Sequence, residues 1–502
     1  MFTRRTFLRS AGAAAMTSCG PAPADPPPVP ARGRPNIVYL FSDQHRGDVL
    51  GAAGNPAALT PNLDGFAAES VLFRRNYTNA PLCRPARGAM MSGLYPHQTG
   101  LVHNLTEVDP EMPSHVRRMR DEAGYHTMVI GKVHLYDGEK HADNYKSVLN
   151  TLGFSDSIEL LGQDEQTWRK SQYSDWLTAT TPAGERDKYQ RYIEYHDAYD
   201  WFSPPPDAEP WALATFDHLD QYCARRTIEW LDQWDGDAPF YLQVNFPGPH
   251  KPFNATSEFR AKFDLATAPF PEAILVDPVH PSPLVDQLTT IKYEAWDAET
   301  VRKLQLSYYA TVNLVDDAVG QVLAVLEARG LLDDTWVIYH SDHGEMLGDH
   351  RLTGKVVFYE GAMHVPLMIR PPGGITGWQS DALVDTLDVS TSILALAGLG
   401  RSSTEPGRSL VPTVERGAEH PDAHTGKSEV VGGDLGYWFL RTDTHKIGYD
   451  PVEERVVEMF DLEADPSELT NLYEFPGTAP TRDELMARLQ GYLQTYPAVD
   501  AR

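Results

Sequence analysis

Asn36-Ile37-Val38-Tyr39-Leu40-Phe41-Ser42-Asp43-Gln44 is an apolar run of strand length that ends abruptly in polar residues. A short run that is apolar at successive positions reads as a strand covered on both faces. The pattern recurs three times. Residues 127–130 lead into Gly131-Lys132-Val133-His134, 240–246 into Pro249-His250-Lys251-Pro252, and 335–339 into Ser341-Asp342-His343-Gly344. Between these runs lie helical periodicities over 220–234 and 307–329. The second places Leu314, Val319, Val322, Leu323 and Leu326 at helical spacing and closes on Arg329-Gly330, a good C-cap. Alternating strands and helices predict an α/β sheet sandwiched by helices.

Open α/β sheets bind ligands beyond the carboxyl ends of their strands, so polar clusters at these strand ends predict one common site. Asp43 and Asp342 would each, taken alone, be read as a turn or capping residue. With Gln44 and His343 they offer two carboxylates, an amide oxygen and an imidazole. That set suits a divalent cation: Ca²⁺ by its oxygen majority, with Mn²⁺ or Mg²⁺ left open. Lys132 and His134 follow one strand, and His250 sits in a loop fixed by prolines. Lys355 follows the glycine-bearing loop 344–350. Singly, each of these is an ordinary surface or packed loop residue.

Cys83-Arg84-Pro85-Ala86-Arg87 begins a predicted helix that continues through 88–92. Pro85 suits its first turn, and residue 83 then sits at the positive end of the helix dipole, a place for an oxyanion.

The chain has 502 residues and a formal charge of −27, which argues against nucleic acid or anionic membranes as general partners. An anionic substrate must be gathered by local cations. Residues 1–19 read as an export signal, with Arg4-Arg5 resembling a twin-arginine motif and Met16-Thr17-Ser18-Cys19 a lipobox. The expected location is periplasmic or lipid-anchored through Cys19, the only membrane contact foreseen. Residues 20–35 form a Pro-rich tether, 36–417 the catalytic domain and 418–502 a C-terminal subdomain. In the last, strand-like runs at 437–441, 445–449 and 456–460 and a helix at 482–495 predict a small antiparallel sheet plus helix. Cys223 is expected to be a buried small hydrophobe outside any disulfide.

The Cys83 run, Arg34 to Asp43, Thr60-Pro61-Asn62-Leu63-Asp64, Gly131 to His134, Pro249 to Pro252, Ser341 to Gly344, His364-Val365-Pro366-Leu367 and Phe460 to Leu472 together resemble the formylglycine-dependent (type I) sulfatases of the alkaline phosphatase superfamily. The resemblance runs from about 34 to about 473 in order. It implies a large mixed, mostly parallel sheet and a sulfuric ester hydrolase. It also implies that a formylglycine-generating enzyme oxidises Cys83 to an aldehyde (3-oxoalanine), whose hydrate attacks sulfur. Asp43, Gln44, Asp342, His343 and the modified Cys83 would hold the metal. Arg87 would steady the diol, Lys132 and Lys355 would neutralise sulfate oxygens, His250 and Lys355 would assist the leaving alcohol, and His134 would take the remaining diol proton. Gln44 and His343 depart from the frequent aspartate and asparagine, as in the branch resembling choline sulfatases and phosphonate monoester hydrolases. Arg84 is expected to contact substrate or lie at the pocket rim, and His218 to line the pocket.

A sulfated carbohydrate is the expected substrate class, degraded outside the cytoplasm. The aromatic-rich stretch 165–217 either walls the pocket and stacks on sugars or packs on the main domain. Two alternatives stand beside this reading: a phosphonate or phosphate diester hydrolase, and a non-catalytic carbohydrate-binding surface protein.

Overall fold

The computed structural model describes residues 33–136, 141–198, 211–236, 238–276, 297–421, 423–434 and 436–498. The export signal, Cys19, most of the tether, Tyr199 and Trp201 lie outside the described residues. The described strands are β1 Asn36–Asp43, β2 Val71–Tyr77, β3 His126–Gly131, β4 Asp156–Glu159, β5 Phe240–Pro249 and β6 Thr335–Ser341. They continue with β7 Leu367–Arg370, β8 Trp378–Asp385, β9 Glu429–Asp434, β10 Tyr437–Thr442, β11 His445–Asp450 and β12 Arg455–Asp461. The first eight form one sheet in the order β4-β3-β5-β1-β6-β7-β2-β8. Only β7 runs antiparallel to its neighbours, so the sheet is mixed and mostly parallel, as expected.

β1 lies between β5 and β6 and is buried on both faces. Ile37, Tyr39 and Phe41 enter one core, Val38 and Leu40 the opposite one. This is why its sequence shows no polar alternation; each large side chain so buried contributes about 1.5–3 kcal/mol. The first core is closed by the helices Cys83–Ser92, His115–Ala123 and Thr386–Leu396. Leu219–Gln233 and Ala298–Ala328 close the second, which holds Cys223 fully buried. Cys83 and Cys223 are both free thiols.

The long helix begins well before residue 307, because the Asp297 side chain caps it by accepting from Thr300 N, and Val301 and Leu304 extend its apolar face. β1, β5 and β6 outrun their apolar runs, since ladder pairing continues through Ser42 with Ser341 and Asp43 with Pro249. β4 and β8 were invisible in the sequence because they are the sheet's edges and carry exposed polar residues.

The second sheet, β12-β11-β10-β9, is antiparallel and is covered by the helix Ala479–Thr495 through Leu485 and Leu489. β9 escapes a propensity reading through Gly432-Gly433, yet these glycines let it approach the large domain: a Cβ on Gly432 would lie 2.0 Å from Asn79 O. An ionic seam, buried on the side of the small sheet and half-buried at Glu360, joins the halves. Glu360 meets Arg441 at 3.1 Å and Lys446 at 3.5 Å, and its backbone N–H donates to Glu468 Oε2 at 2.8 Å. Lys446, fully buried, also pairs with Glu468.

Gly131, which ends β3, has φ +113° and its Cβ position lies 1.9 Å from Asn245 O. Gly131→Ala combines backbone strain with a clash, and should lower stability by at least about 2 kcal/mol, read as a depressed thermal midpoint. An unchanged midpoint would refute the close approach.

Candidate active site

Adjacent parallel strands end side by side, so β3, β5, β1 and β6 deliver Lys132, His250, Asp43, Asp342 and His343 to one place. The Cys83 helix points its first turn at the same place. Leu82 is its extended N-cap, Pro85 lies in the first turn, and Gly93 (φ 70°) ends it. Cys83 is therefore the first helical residue, where unpaired backbone N–H groups and the helix dipole favour negative charge.

Arg87, one turn further along, is buried between two carboxylates. Its Nη2 lies 3.0 Å from Asp43 Oδ2 and its Nε 2.9 Å from Asp342 Oδ2. Lys132 Nζ also reaches Asp43 Oδ2, at 2.7 Å. Burial would raise the Asp43 carboxyl, but Lys132, Arg87 and Lys355 outweigh it and hold it well below the usual carboxylate range. Burial works against the Lys132 ammonium too, and Asp43 overcomes it, so the lysine stays charged.

Asp43 Oδ1 is buried without a hydrogen-bond partner among the described residues. It shares a cluster with Cys83, Asp342 and His343 whose ligand atoms all lie within 4.8 Å of one another. His343 Nε2 is 3.2 Å from Cys83 Sγ, 3.7 Å from Asp43 Oδ1 and 3.6 Å from Asp342 Oδ1. Its Nδ1 faces Gly344 O at 3.0 Å, an acceptor only, so in the neutral ring Nδ1 carries the proton and Nε2 presents a lone pair to the cluster. An orphaned carboxylate oxygen beside an oriented imidazole is the donor set a divalent cation requires; the residues fit the group.

Gln44 continues the site in left-handed backbone (φ 69°). Its N–H donates to Asp342 Oδ1 at 2.9 Å, and its Oε1 accepts from Lys355 Nζ at 2.7 Å. His250 Nδ1 bonds Lys251 O at 2.6 Å, leaving Nε2 available; burial, then Lys355, hold the ring well below its ordinary value and therefore neutral. His134 is likewise lowered by burial and by Lys132, Arg87 and Arg84; Glu165 Oε1 stands 3.9 Å from its Nε2.

Two expectations are corrected. Arg84 does not lie at a rim: it is fully buried, and its guanidinium donates to Thr106 O at 2.9 Å and Tyr136 O at 3.3 Å, fastening the loops behind Cys83. His218 does not line the pocket either. It caps the helix Leu219–Gln233 by accepting from Asp220 N, and its Nε2 donates to Asn254 Oδ1 at 3.2 Å. From there a directed chain passes through Gln163 to His250 O, so His218 stands behind His250. Of the aromatic stretch, Tyr173, Tyr189, Tyr192 and Trp211 are buried in the main core, which is the packing alternative, whereas Trp168 is 62% exposed. Sequence reading missed Glu165 and Glu345. The latter is fully buried and accepts from Gln44 Nε2. Its place directly after Ser341-Asp342-His343-Gly344 was the available signal.

A family model described as Sulfatase matches residues 35–399, and one described as N-sulphoglucosamine sulphohydrolase, C-terminal, matches 348–495. A choline-sulfatase of Rhizobium meliloti is 30% identical over 460 residues, 88% of this chain and 83% of the relative. An ulvan-active sulfatase of Formosa agariphila is 28% identical over 486 residues, 91% of this chain and 80% of the relative. The crystal structure of the phosphonate monoester hydrolase of Agrobacterium radiobacter aligns with a TM-score of 0.74 at 25% identity, over 92% of this chain and 96% of that one.

Burial raises the Cys83 thiol, but Lys355 and the His343 ring, which Asp342 raises toward its protonated form against burial in the chain without a cation, pull it down to about 7. Thiolate absorbance of the unconverted chain, taken against Cys83→Ala, should therefore rise with a midpoint near pH 7, with thiol below and thiolate above. Cys223, pushed well up by burial, stays silent. Lys355→Met should move the midpoint upward; an unmoved midpoint would remove Lys355 from the neighbourhood of the sulfur.

Proposed function

The chain belongs to the sulfatase family and is a sulfuric ester hydrolase, and we propose that it works through Cys83 oxidised to formylglycine beside a divalent cation. The observation that carries this reading is the Cys83 sulfur at a helix N-terminus, 3.2 Å from His343 Nε2 and clustered with Asp43 and Asp342. As a hydrated aldehyde, residue 83 would supply one hydroxyl to attack sulfur and a second to release sulfate. A cation held by Asp43, Asp342, His343 and Gln44, with Ca²⁺ favoured by the oxygen majority, would supply Lewis acidity.

The chain's own side chains account for the remaining chemistry. Lys132 and Lys355 bring positive charge to the oxygens of the sulfate group, and Arg87 holds the two carboxylates in place beside residue 83. His134, kept neutral by burial and its cationic neighbours, suits a base. Burial and then Lys355 hold His250 neutral; an anionic ester would offset the Lys355 and Lys132 charges and so favour a proton on Nε2, placed to be handed to the leaving alcohol.

The substrate class we assign is a sulfated carbohydrate, supported by the ulvan-active relative, and the site of action outside the cytoplasm, supported by Arg4-Arg5. Conversion of Cys83 requires a formylglycine-generating enzyme. The choline-sulfatase relative and the phosphonate monoester hydrolase fold favour a second reading, in which the pocket takes small sulfate or phosphonate monoesters. Parallel release of sulfate from sulfated sugars and choline sulfate, and of alcohol from aryl phosphonates, ranks them.

Cys83→Ala should abolish turnover with an unchanged melting profile, and mass spectrometry of the wild-type peptide spanning residue 83 should show the aldehyde. Residual turnover, or only thiol in active protein, would overturn the nucleophile. His250→Ala should slow alkyl sulfates by about 10²–10⁴ and aryl sulfates far less, since good leaving groups need no proton. Equal losses on both would remove its donor role.

A further inference from the structure

We infer that Glu345 is a positioning residue: it fixes the Gln44 amide with its oxygen toward Lys355 and free of the carboxylate, the end that would serve a cation, and the same carboxylate holds the turn that carries Lys355. The inference deepens, and rests on, the cation reading proposed above.

A glutamine side chain ends in an oxygen and a nitrogen of nearly equal size, so packing alone does not choose between them. At position 44 the choice matters. The residue directly follows Asp43, its backbone N–H is tied to Asp342 Oδ1, and its side chain reaches Lys355. Glu345 makes the choice. Its Oε2 accepts from Gln44 Nε2, which commits the nitrogen and turns Oε1 toward the Lys355 ammonium. Its other oxygen accepts from Leu347 N at 3.0 Å and from Gly354 N, and Met346 N closes the same turn on Gly354 O at 2.8 Å. Lys355 is the next residue. Gln44, Glu345 and Lys355 thus form a ring closed by side-chain bonds on one side and the backbone of the 345–355 loop on the other.

The arrangement also answers a charge question. A neutral amide at position 44 contributes less to a cation than a carboxylate would. Glu345 places a buried carboxylate behind that amide, and each hydrogen bond described for it is accepted. A negative charge on the N–H side pushes electron density toward Oε1, as an acid behind a metal-bound histidine does for the ring. Reversal of the amide would aim an N–H₂ group at the Lys355 ammonium and an oxygen at the Glu345 carboxylate.

The test is a calorimetric titration of the unconverted full-length chain with Ca²⁺ alone, on wild type, Glu345→Gln, the exchanged pair Gln44→Glu/Glu345→Gln, and Asp43→Asn. Glu345→Gln should weaken Ca²⁺ binding by about 10–100-fold. The exchanged pair should restore at least wild-type affinity, because the carboxylate becomes the ligand and the amide its support. A loop-tying role alone would not produce that rescue. Wild-type affinity in Glu345→Gln, or an exchanged pair weaker than wild type, overturns the inference. Because the pair keeps its mutual hydrogen bond, it carries the test if the single variant does not fold. Asp43→Asn separates the two readings. If it loses Ca²⁺ while Glu345→Gln does not, only the role of Glu345 fails; if it too binds as wild type does, or wild type binds none, the cation reading falls with it.

Discussion

Asp43 Oδ2 accepts from both Lys132 and Arg87, and Arg87 carries on to Asp342. These four side chains come from the ends of β1, β3 and β6 and from the Cys83 helix, so one shared carboxylate registers three strands and a helix at the place where chemistry occurs. Burying an ion costs several kcal/mol, and the arrangement persists because each charge is answered at hydrogen-bond distance. The result is a site assembled before any ligand arrives. Asp43 Oδ1, without a partner among the described residues, is where the assembly leaves something to be supplied.

The electrostatics follow from that count. Asp43 and Asp342 are balanced by Arg87 and Lys132, and Lys355 is answered through the Gln44 amide by the Glu345 carboxylate. A chain with a formal charge of −27 thereby gathers three cations, Arg87, Lys132 and Lys355, at one spot. Local charge in a low-dielectric cleft, rather than the overall field, decides what enters.

How much of this could be read in the sequence depended on where a residue lies in the sheet. The central strands β1, β3, β5 and β6 are apolar on both faces and declared themselves. β4 and β8 at the edges did not, nor did β9 with its paired glycines, nor did two interior strands, β2, interrupted by Arg74-Arg75, and β7, only four residues long. Site residues were legible for the same reason: Asp43, Lys132, His250, Asp342 and His343 directly follow, or end, legible strands. Arg84 and His218 show the limit of adjacency, since being next to the right residue says nothing about which way a side chain turns. Glu345 was hidden differently. Its partner Gln44 lies some 300 residues away along the chain, a pairing only the folded sheet creates.

The seam around Glu360 bears on how such a chain can be divided. Arg441 and Lys446 come from the small sheet, Glu468 from the segment after β12, and Glu360 from the segment just beyond Lys355. Cutting the polypeptide near 418 would strand the buried Arg441, Lys446 and Glu468 on one fragment and take from the half-buried Glu360 on the other the cations that pair with it. The tail is therefore a wall of the enzyme rather than an appendage. Gene fusions, circular permutants or split-protein reporters made from this scaffold would have to place their new termini elsewhere.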